Sequence, residues 1–321
     1  MKRQFVSDLR AGVLVNDVFF CSRRDVRERR DGAPFVTFEF RDRTGSINGI
    51  MWEKIEDALN ICQPGTFCRV QGRVADYQGR LQLNVNLVLP VEQNEVERKD
   101  FLTTTSYNTN ELLNELRRLA ASIENRPLRQ LLESFLNDAD FVPKFVSAPA
   151  AQSVHHAYIG GLLEHTVFMS RLAHAVSEIY HEIDRDLLLA GTILHDVGKT
   201  CEYSYETAID HTLDGRLIGH IVLGYQMTAE RIAAIPDFPV ETARMLLHII
   251  LSHHGALEFG SPKTPKFAEA LLVHFLDNLD ARIAMFREAV NRNPGTKWTD
   301  FHQYLGTNIY IPDRPAVGGS K

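Results

Sequence analysis

Cysteine is scarce in this chain of 321 residues, and its placement excludes most cysteine chemistry. The four that occur, Cys21, Cys62, Cys68 and Cys201, form no Cys-x-x-Cys pair. That leaves neither a thiolate zinc cluster nor a disulfide scaffold, and it fits a reducing, cytoplasmic setting. No apolar run approaches the roughly 18 residues of a membrane helix, so a membrane-spanning protein is not expected. Behind Met1-Lys2-Arg3 no long apolar stretch follows, and a secretory leader is not expected either. Internal repeats and low-complexity tracts are missing, and no histidine precedes His155 although the chain holds 13. What is present, 44% hydrophobic and 24% charged residues, is the composition of a globular protein of about two domains.

Charge divides the chain. Residues 1–92 carry 14 basic against 12 acidic side chains, and the remainder carries 21 against 29. A weakly basic front and an acidic back are compatible with a nucleic-acid binder joined to a cation binder. The front reads as strands. Val13 to Phe20 opens the first, Phe35 to Phe40 is rich in β-branched and aromatic residues, and Ile47 to Trp52 follows a turn at Arg43-Thr44-Gly45-Ser46. A short helical piece from Glu53 to Ile61 ends at Gln63-Pro64-Gly65, and two strands follow over 67–75 and 81–89. In the last, Leu81, Leu83, Val85, Leu87 and Leu89 are expected to share one face. Three strands, a helix and two strands within about 90 residues is the order of an OB-fold barrel. Residues 93–139 read as a linker and helical connector, with Asn108 or Thr109 as a helix cap and Pro127 at the start of a second helix. From 140 to 311 the pattern is helical, over roughly 160–180, 184–198, 216–235, 239–254 and 265–290, and 312–321 reads as a flexible tail.

The histidines fall in apolar helical runs. His165 lies early on one, His195-Asp196 closes the next, His220 follows Gly219 on a third, His253-His254 ends a fourth, and Asp277 and Asp280 lie on a fifth. Each alone reads best as a hydrogen-bonded core or surface residue. An aspartate among Leu, Ile and Val needs a partner, however, and five helices supplying such groups point to a divalent cation. Imidazole with carboxylate and no thiolate leaves Mn, Fe, Co, Ni or Mg open.

His165, His195-Asp196 and the distant Asp277 match the H…HD…D pattern, and Ile193-Leu194-His195-Asp196-Val197-Gly198-Lys199 resembles the central motif of the HD-domain metal-dependent phosphohydrolases. The layout, an N-terminal all-β OB-fold barrel followed by an all-α HD-domain helical bundle, resembles the YhaM-type 3′-5′ exoribonucleases. The segments His155 to Thr166 and Asp277 to Ala281 are similar to that group as well. The resemblance implies that His165, His195, Asp196 and Asp277 hold one ion. It also implies that Asp196 bridges to a second ion held by His220, His253 and His254. No Gly-Tyr-Pro follows His253-His254, unlike cyclic-dinucleotide members, and position 161 is Gly where trinuclear members carry Glu. Two divalent ions are therefore expected, manganese first.

Asp196 and Lys199 are the candidate catalytic residues. Lys199 would bring an ammonium to a developing oxyanion; the bland alternative is a solvated lysine at a helix C-terminus. His156, with its neighbour His155, is a candidate contact for the terminal nucleotide. Glu164 and Asp280 are candidate orienters of ligand imidazoles, and His174, His181, His211, His248, His274 and His302 read as structural. On the barrel, Tyr77 with Arg80 in a polar loop, and Arg23 and Arg24 in an arginine run taken to lie between the first two strands, are candidate contacts for single-stranded RNA or DNA. Phe35, Phe38, Phe40 and Trp52 read mostly as core. Exposed apolar helix faces leave a homo-oligomer open. The expected activity is metal-dependent 3′-5′ exonuclease action on single-stranded RNA. The alternatives are a phosphohydrolase acting on a small nucleotide and a binding module with an inert metal site.

Overall fold

In the computed structural model, five strands close into a barrel in the order β1-β2-β3-β5-β4. The structure describes residues 2–29, 31–77, 79–92, 95–97, 100–152, 156–205, 209–291, 293 and 295–313, with the side chain of Arg80 also left aside. The strands are β1 (Leu14–Glu28), β2 (Pro34–Asp42), β3 (Gly45–Met51), β4 (Thr66–Tyr77) and β5 (Arg80–Pro90), with α1 (Ile55–Ile61) between β3 and β4. Closure depends on the length of β1. Its first half pairs with β4 and its second half with β2, with a register shift between Cys21 and Arg23 where it passes from one partner to the other. Inward residues fill the barrel, among them Phe19, Val36, Phe38, Phe40, Val70 and Leu83.

Three expectations for the barrel are corrected. The arginine run is not a loop, because Arg23 and Arg24 lie within β1 and pair with Glu39 and Phe38 of β2. The alternation along β5 also breaks. Gln71 pairs with Leu87 but Gly72 pairs with Val85, so Asn86 is an extra residue. Past this bulge the pleat changes face: Leu87 turns outward and Val88 is buried. Leu81, at the open start of the strand, is exposed as well. Tyr77 and Arg80, read as loop residues, are instead the paired ends of β4 and β5.

The chain divides into two units, residues 1–104 with 205–209, and residues 105–204 with 210–321. The second unit contains α2 (Thr109–Ala121), α3 (Arg126–Leu136), α4 (Phe141–Ser147), α5 (Gly161–Ser177), α6 (Arg185–Leu194), α7 (Lys199–Glu202), the strand pair β6 (Tyr203–Ser204) and β7 (Asp210–His211), α8 (Leu213–Leu217), α9 (His220–Ala233), α10 (Val240–Ser252) and α11 (Ala268–Asn291). The segment read as a connector is split by this division. Leu112, Leu113 and Leu116 of α2 and Leu128, Leu131 and Leu132 of α3 are buried, and these helices pack on α5 and α6. Such apolar faces belong to a core rather than to a tether. Asn108 caps α2 through its side-chain oxygen, one of the two caps the sequence suggested, and Asn125 caps α3 in the same way.

At the centre lies α6, capped by Asp184 and buried along Leu187–Leu194. It packs on α3, α5, α10 and α11, and its C-terminal end delivers His195 and Asp196 into the interior of the unit. Among the described residues no helix is long and apolar enough to cross a membrane.

Candidate active site

Helix ends and buried helix faces bring the titratable groups together. His165 comes from α5, His195 and Asp196 from the end of α6, and Lys199 from the start of α7. His220 is the first residue of α9, His253 and His254 follow α10, and Asp277 and Asp280 lie on α11. The three-residue spacing of Asp277 and Asp280 puts both carboxylates on one face of α11.

Asp196 occupies the middle. Its Oδ2 lies 3.3 Å from His195 Nε2 and 3.8 Å from His165 Nε2, and its Oδ1 lies 3.6 Å from both His220 Nε2 and His253 Nε2. His165 Nε2 is also 3.3 Å from His195 Nε2 and 3.4 Å from Asp277 Oδ1. Two sets facing Asp196 are compatible with an ion each, His165, His195 and Asp277, and His220, His253 and His254; a third set of suitable spacing, His156, His165 and Asp280, lies behind His165, where hydrogen bonds join its members. One carboxylate thus turns one oxygen toward each of the two sets facing it.

The other side of every imidazole is fixed. Nδ1 of His195 meets the Thr192 carbonyl at 2.7 Å, that of His253 the Ile250 carbonyl at 2.8 Å, and that of His254 the Phe259 carbonyl at 2.9 Å. His165 Nδ1 meets Asp280 Oδ2 at 2.7 Å, and His220 Nδ1 meets Glu202 Oε1 at 3.0 Å. Carbonyls and carboxylates only accept hydrogen bonds, so each Nδ1 carries its proton and each Nε2 is the atom presented to the centre. Asp196 Oδ1, His220 Nε2 and His253 Nε2 are fully buried without a hydrogen-bond partner. Three such atoms converging from three elements would be costly unless something satisfies them. A divalent cation fits this donor set of imidazole nitrogen and carboxylate oxygen.

Charge agrees with that fit. Burial, and for His254 the neighbouring His253, pushes the imidazoles of His220, His253 and His254 down, His254 to about 4. They are therefore held toward the neutral form, in which Nε2 is free to ligate a cation. Burial opposes ionisation of Asp196, Asp277 and Asp280, but adjacent cations outweigh it and hold all three below the usual carboxylate range. For Asp196 the leading cation is Lys199, and for Asp277 it is His165. His165 differs: burial disfavours its charge, yet Asp277 and Asp280 raise it to about 9. Below that pH an ion must displace a proton from His165. Mn²⁺ affinity of the metal-stripped chain is therefore expected to climb about tenfold per pH unit toward pH 9 and then flatten. The same proton contributes stability to the metal-free chain that is complete below the ordinary value of 6.5 and lost as pH rises through about 9. Mn²⁺ titrations at several pH values check this, and a flat profile would contradict it.

Comparison with known proteins finds matches to both parts of the chain. The model of the HD domain matches residues 162–282, and that of an OB-fold nucleic acid binding domain matches residues 23–91. The 3′-5′ exoribonuclease YhaM of Bacillus subtilis (strain 168) is 35% identical over 273 residues, covering 84% of this chain and 85% of the relative. That of Bacillus velezensis is 34% identical with the same coverage. This chain belongs to the YhaM family of 3′-5′ exoribonucleases.

Of the residues singled out in sequence, His165, His195, Asp196, His220, His253, His254 and Asp277 are brought together around one centre in this member of the YhaM family. Lys199 joins them, but not as a solvated residue at a helix C-terminus. It opens α7, is buried, and places Nζ 2.6 Å from Asp196 Oδ2. Burial works against its charge, but Asp196 and Asp277 more than compensate and hold its pKa above the usual lysine value.

His156 is corrected. It is 3% exposed and lies behind His165, its Nε2 2.9 Å from Asp280, so it offers no open edge to a nucleotide. His155 lies outside the described residues. The Gly161 position is explained by the same segment: a Cβ there would stand 2.1 Å from the His156 carbonyl oxygen, which leaves no room for the glutamate of trinuclear relatives. Glu164 accepts the Thr105 hydroxyl at 2.6 Å and is not hydrogen-bonded to any of the five inward-facing imidazoles. The group that does orient His220, Glu202, was missed. It stands 18 residues away in sequence, and no helical spacing connects the two.

The barrel candidates also sort differently. Tyr77 is 63% exposed, as a stacking residue must be. Arg23 is exposed and ion-paired with Asp25 at 2.9 Å. Arg24 instead turns inward and donates to the Leu59 and Cys62 carbonyls, closing the end of α1, so its role is structural. Trp52 is no core residue. It follows Met51, the last residue of β3, and stacks on Phe35 with 44% of its surface exposed and Arg29 over its ring.

Proposed function

We propose that this chain is a metal-dependent 3′-5′ exoribonuclease, hydrolysing the terminal phosphodiester of single-stranded RNA. The observation that carries the reading is Asp196, whose two oxygens each face two imidazole Nε2 atoms. The names of its relatives agree with it. His165, His195, Asp196 and Asp277 would hold one divalent ion, and Asp196, His220, His253 and His254 would hold a second, with manganese the first candidate. When bound, such ions would activate water for attack and neutralise phosphoryl charge. The chain's own groups do the rest. Asp280, Glu202 and three carbonyls keep each imidazole turned with Nε2 inward. Lys199 keeps a buried ammonium beside Asp196 and offers positive charge to a non-bridging phosphoryl oxygen. The barrel supplies affinity for the strand, with Tyr77 as a stacking surface and Arg23 as a phosphate contact.

Incubating 5′-labelled single-stranded RNA with the chain and Mn²⁺ should give a ladder shortening from the 3′ end, and chelation should stop it. Uniform internal cuts would mark an endonuclease. Turnover of free nucleotides alone would mark the small-substrate alternative. On the barrel, Tyr77→Ala is expected to weaken RNA binding by about 1–3 kcal/mol, read as a rise in KM at unchanged kcat. Affinity should also fall steeply with salt. Equal affinity for the variant would remove Tyr77 from the surface.

A further inference from the structure

His156 is a charged-type side chain with almost no solvent contact, held on a strained backbone. Its φ is +55°, a left-handed conformation that a residue with a Cβ keeps only where surroundings enforce it. Its carbonyl accepts from Ala150 N and Tyr158 N, and Gly161 packs against that carbonyl. Residues 156–161, ahead of α5, are therefore folded tightly, and their product is the placement of one imidazole.

That imidazole reaches Asp280. Its Nε2 is 2.9 Å from Asp280 Oδ2, and its Nδ1 is 2.8 Å from the Tyr158 hydroxyl. The same Oδ2 lies 2.7 Å from His165 Nδ1. A carboxylate oxygen only accepts, so both facing ring nitrogens carry hydrogen whatever the tautomer elsewhere. Two N–H groups from different segments therefore grip one oxygen, and the imidazole planes stand 5.5 Å apart between centroids. With His165 alone as partner, Asp280 could rotate about its side-chain torsions and carry the imidazole with it. With His156 on the other side, the carboxylate is held and His165 Nε2 stays aimed at His195 and Asp277.

We propose that His156 is a positioning residue for the metal centre. It acts through Asp280 on His165, with Tyr158 holding its far nitrogen. The inference rests on His165 being a ligand, and the residue touches neither the ion nor the RNA. Partners of ligand imidazoles typically change metal affinity ten- to a hundredfold when removed.

The test uses Mn²⁺ titration of the metal-stripped full chain, followed by the signal of the free aqua ion, with RNA hydrolysis measured in parallel. His156→Met and His156→Gln have similar volume, but only glutamine places an N–H near the Nε2 position. The methionine variant is expected to need ten- to a hundredfold more Mn²⁺ for half-saturation. Its kcat should drop at limiting Mn²⁺ and recover at saturating Mn²⁺, with KM for RNA unchanged. The glutamine variant should regain most of the affinity. Equal Mn²⁺ affinity in wild type and methionine variant, with a raised KM for RNA, would overturn the proposal in favour of a substrate contact. Equal weakening in both variants would reduce His156 to packing. If the wild-type chain takes up no Mn²⁺, the metal-centre reading itself fails, which is distinguishable from failure of this inference.

Discussion

Asp196→Asn is expected to lower RNA hydrolysis by at least about a thousandfold and to abolish tight Mn²⁺ uptake in both halves of the site. The amide keeps the shape but loses the charge, and its nitrogen turns a donor either toward the Lys199 ammonium, which already offers hydrogens, or toward imidazole Nε2 atoms positioned for a cation. The change also strands Lys199, whose Nζ sits 2.6 Å from the lost carboxylate with only 10% of the side chain exposed. Removing one partner of a buried ion pair costs about 3–5 kcal/mol, so the metal-free variant should melt well below wild type. Adding Lys199→Met should restore much of that stability and none of the activity. Strand affinity supplied by the barrel should persist. Retained Mn²⁺ binding or retained hydrolysis in Asp196→Asn would remove the central residue from the mechanism.

Gly198→Ala should be nearly as damaging without touching a functional group. A Cβ at Gly198 would lie 2.0 Å from the His220 carbonyl oxygen and 2.5 Å from Gly224 N. Both are backbone atoms, so no rotamer change relieves the clash, and α9 must move away from the turn that carries Asp196 and Lys199. Overpacking typically costs about 1–3 kcal/mol, and a main-chain contact belongs at the upper end. Because His220 opens α9, its Nε2 would move with the helix, and Mn²⁺ affinity should fall together with the melting temperature. A wild-type melt with wild-type Mn²⁺ affinity would show that the two segments can separate freely.

This glycine illustrates what a sequence can and cannot disclose. It stood in the motif read at Ile193 to Lys199; its task is to let two backbones meet. The cluster of candidate ligands was legible because histidine and aspartate within Leu-rich helical runs are costly unless satisfied, and its division between two ions came from the family resemblance. Barrel order was legible from β-branched and aromatic runs punctuated by Gly and Pro. The bulge at Asn86 was not, since one surplus residue leaves no mark on composition while reversing the face of everything after it. Arg24 and Trp52 were misplaced for a related reason. Which arginine of a run turns inward, and which aromatic falls just past the end of a strand, are set by register, which no local pattern encodes. Glu202 was missed and His156 misread because their partners are brought to them only by tertiary packing.

The acceptors behind the imidazoles are of two kinds, and they differ in how mutation can reach them. His195, His253 and His254 lean on the main-chain oxygens of Thr192, Ile250 and Phe259, which every amino acid possesses. Substitution at those positions leaves the tether in place. His165 and His220 lean on the side chains of Asp280 and Glu202, which a single codon change can delete. Genetic drift can therefore retune the centre through two of its five imidazoles, one in each half, while the other three are shielded from it.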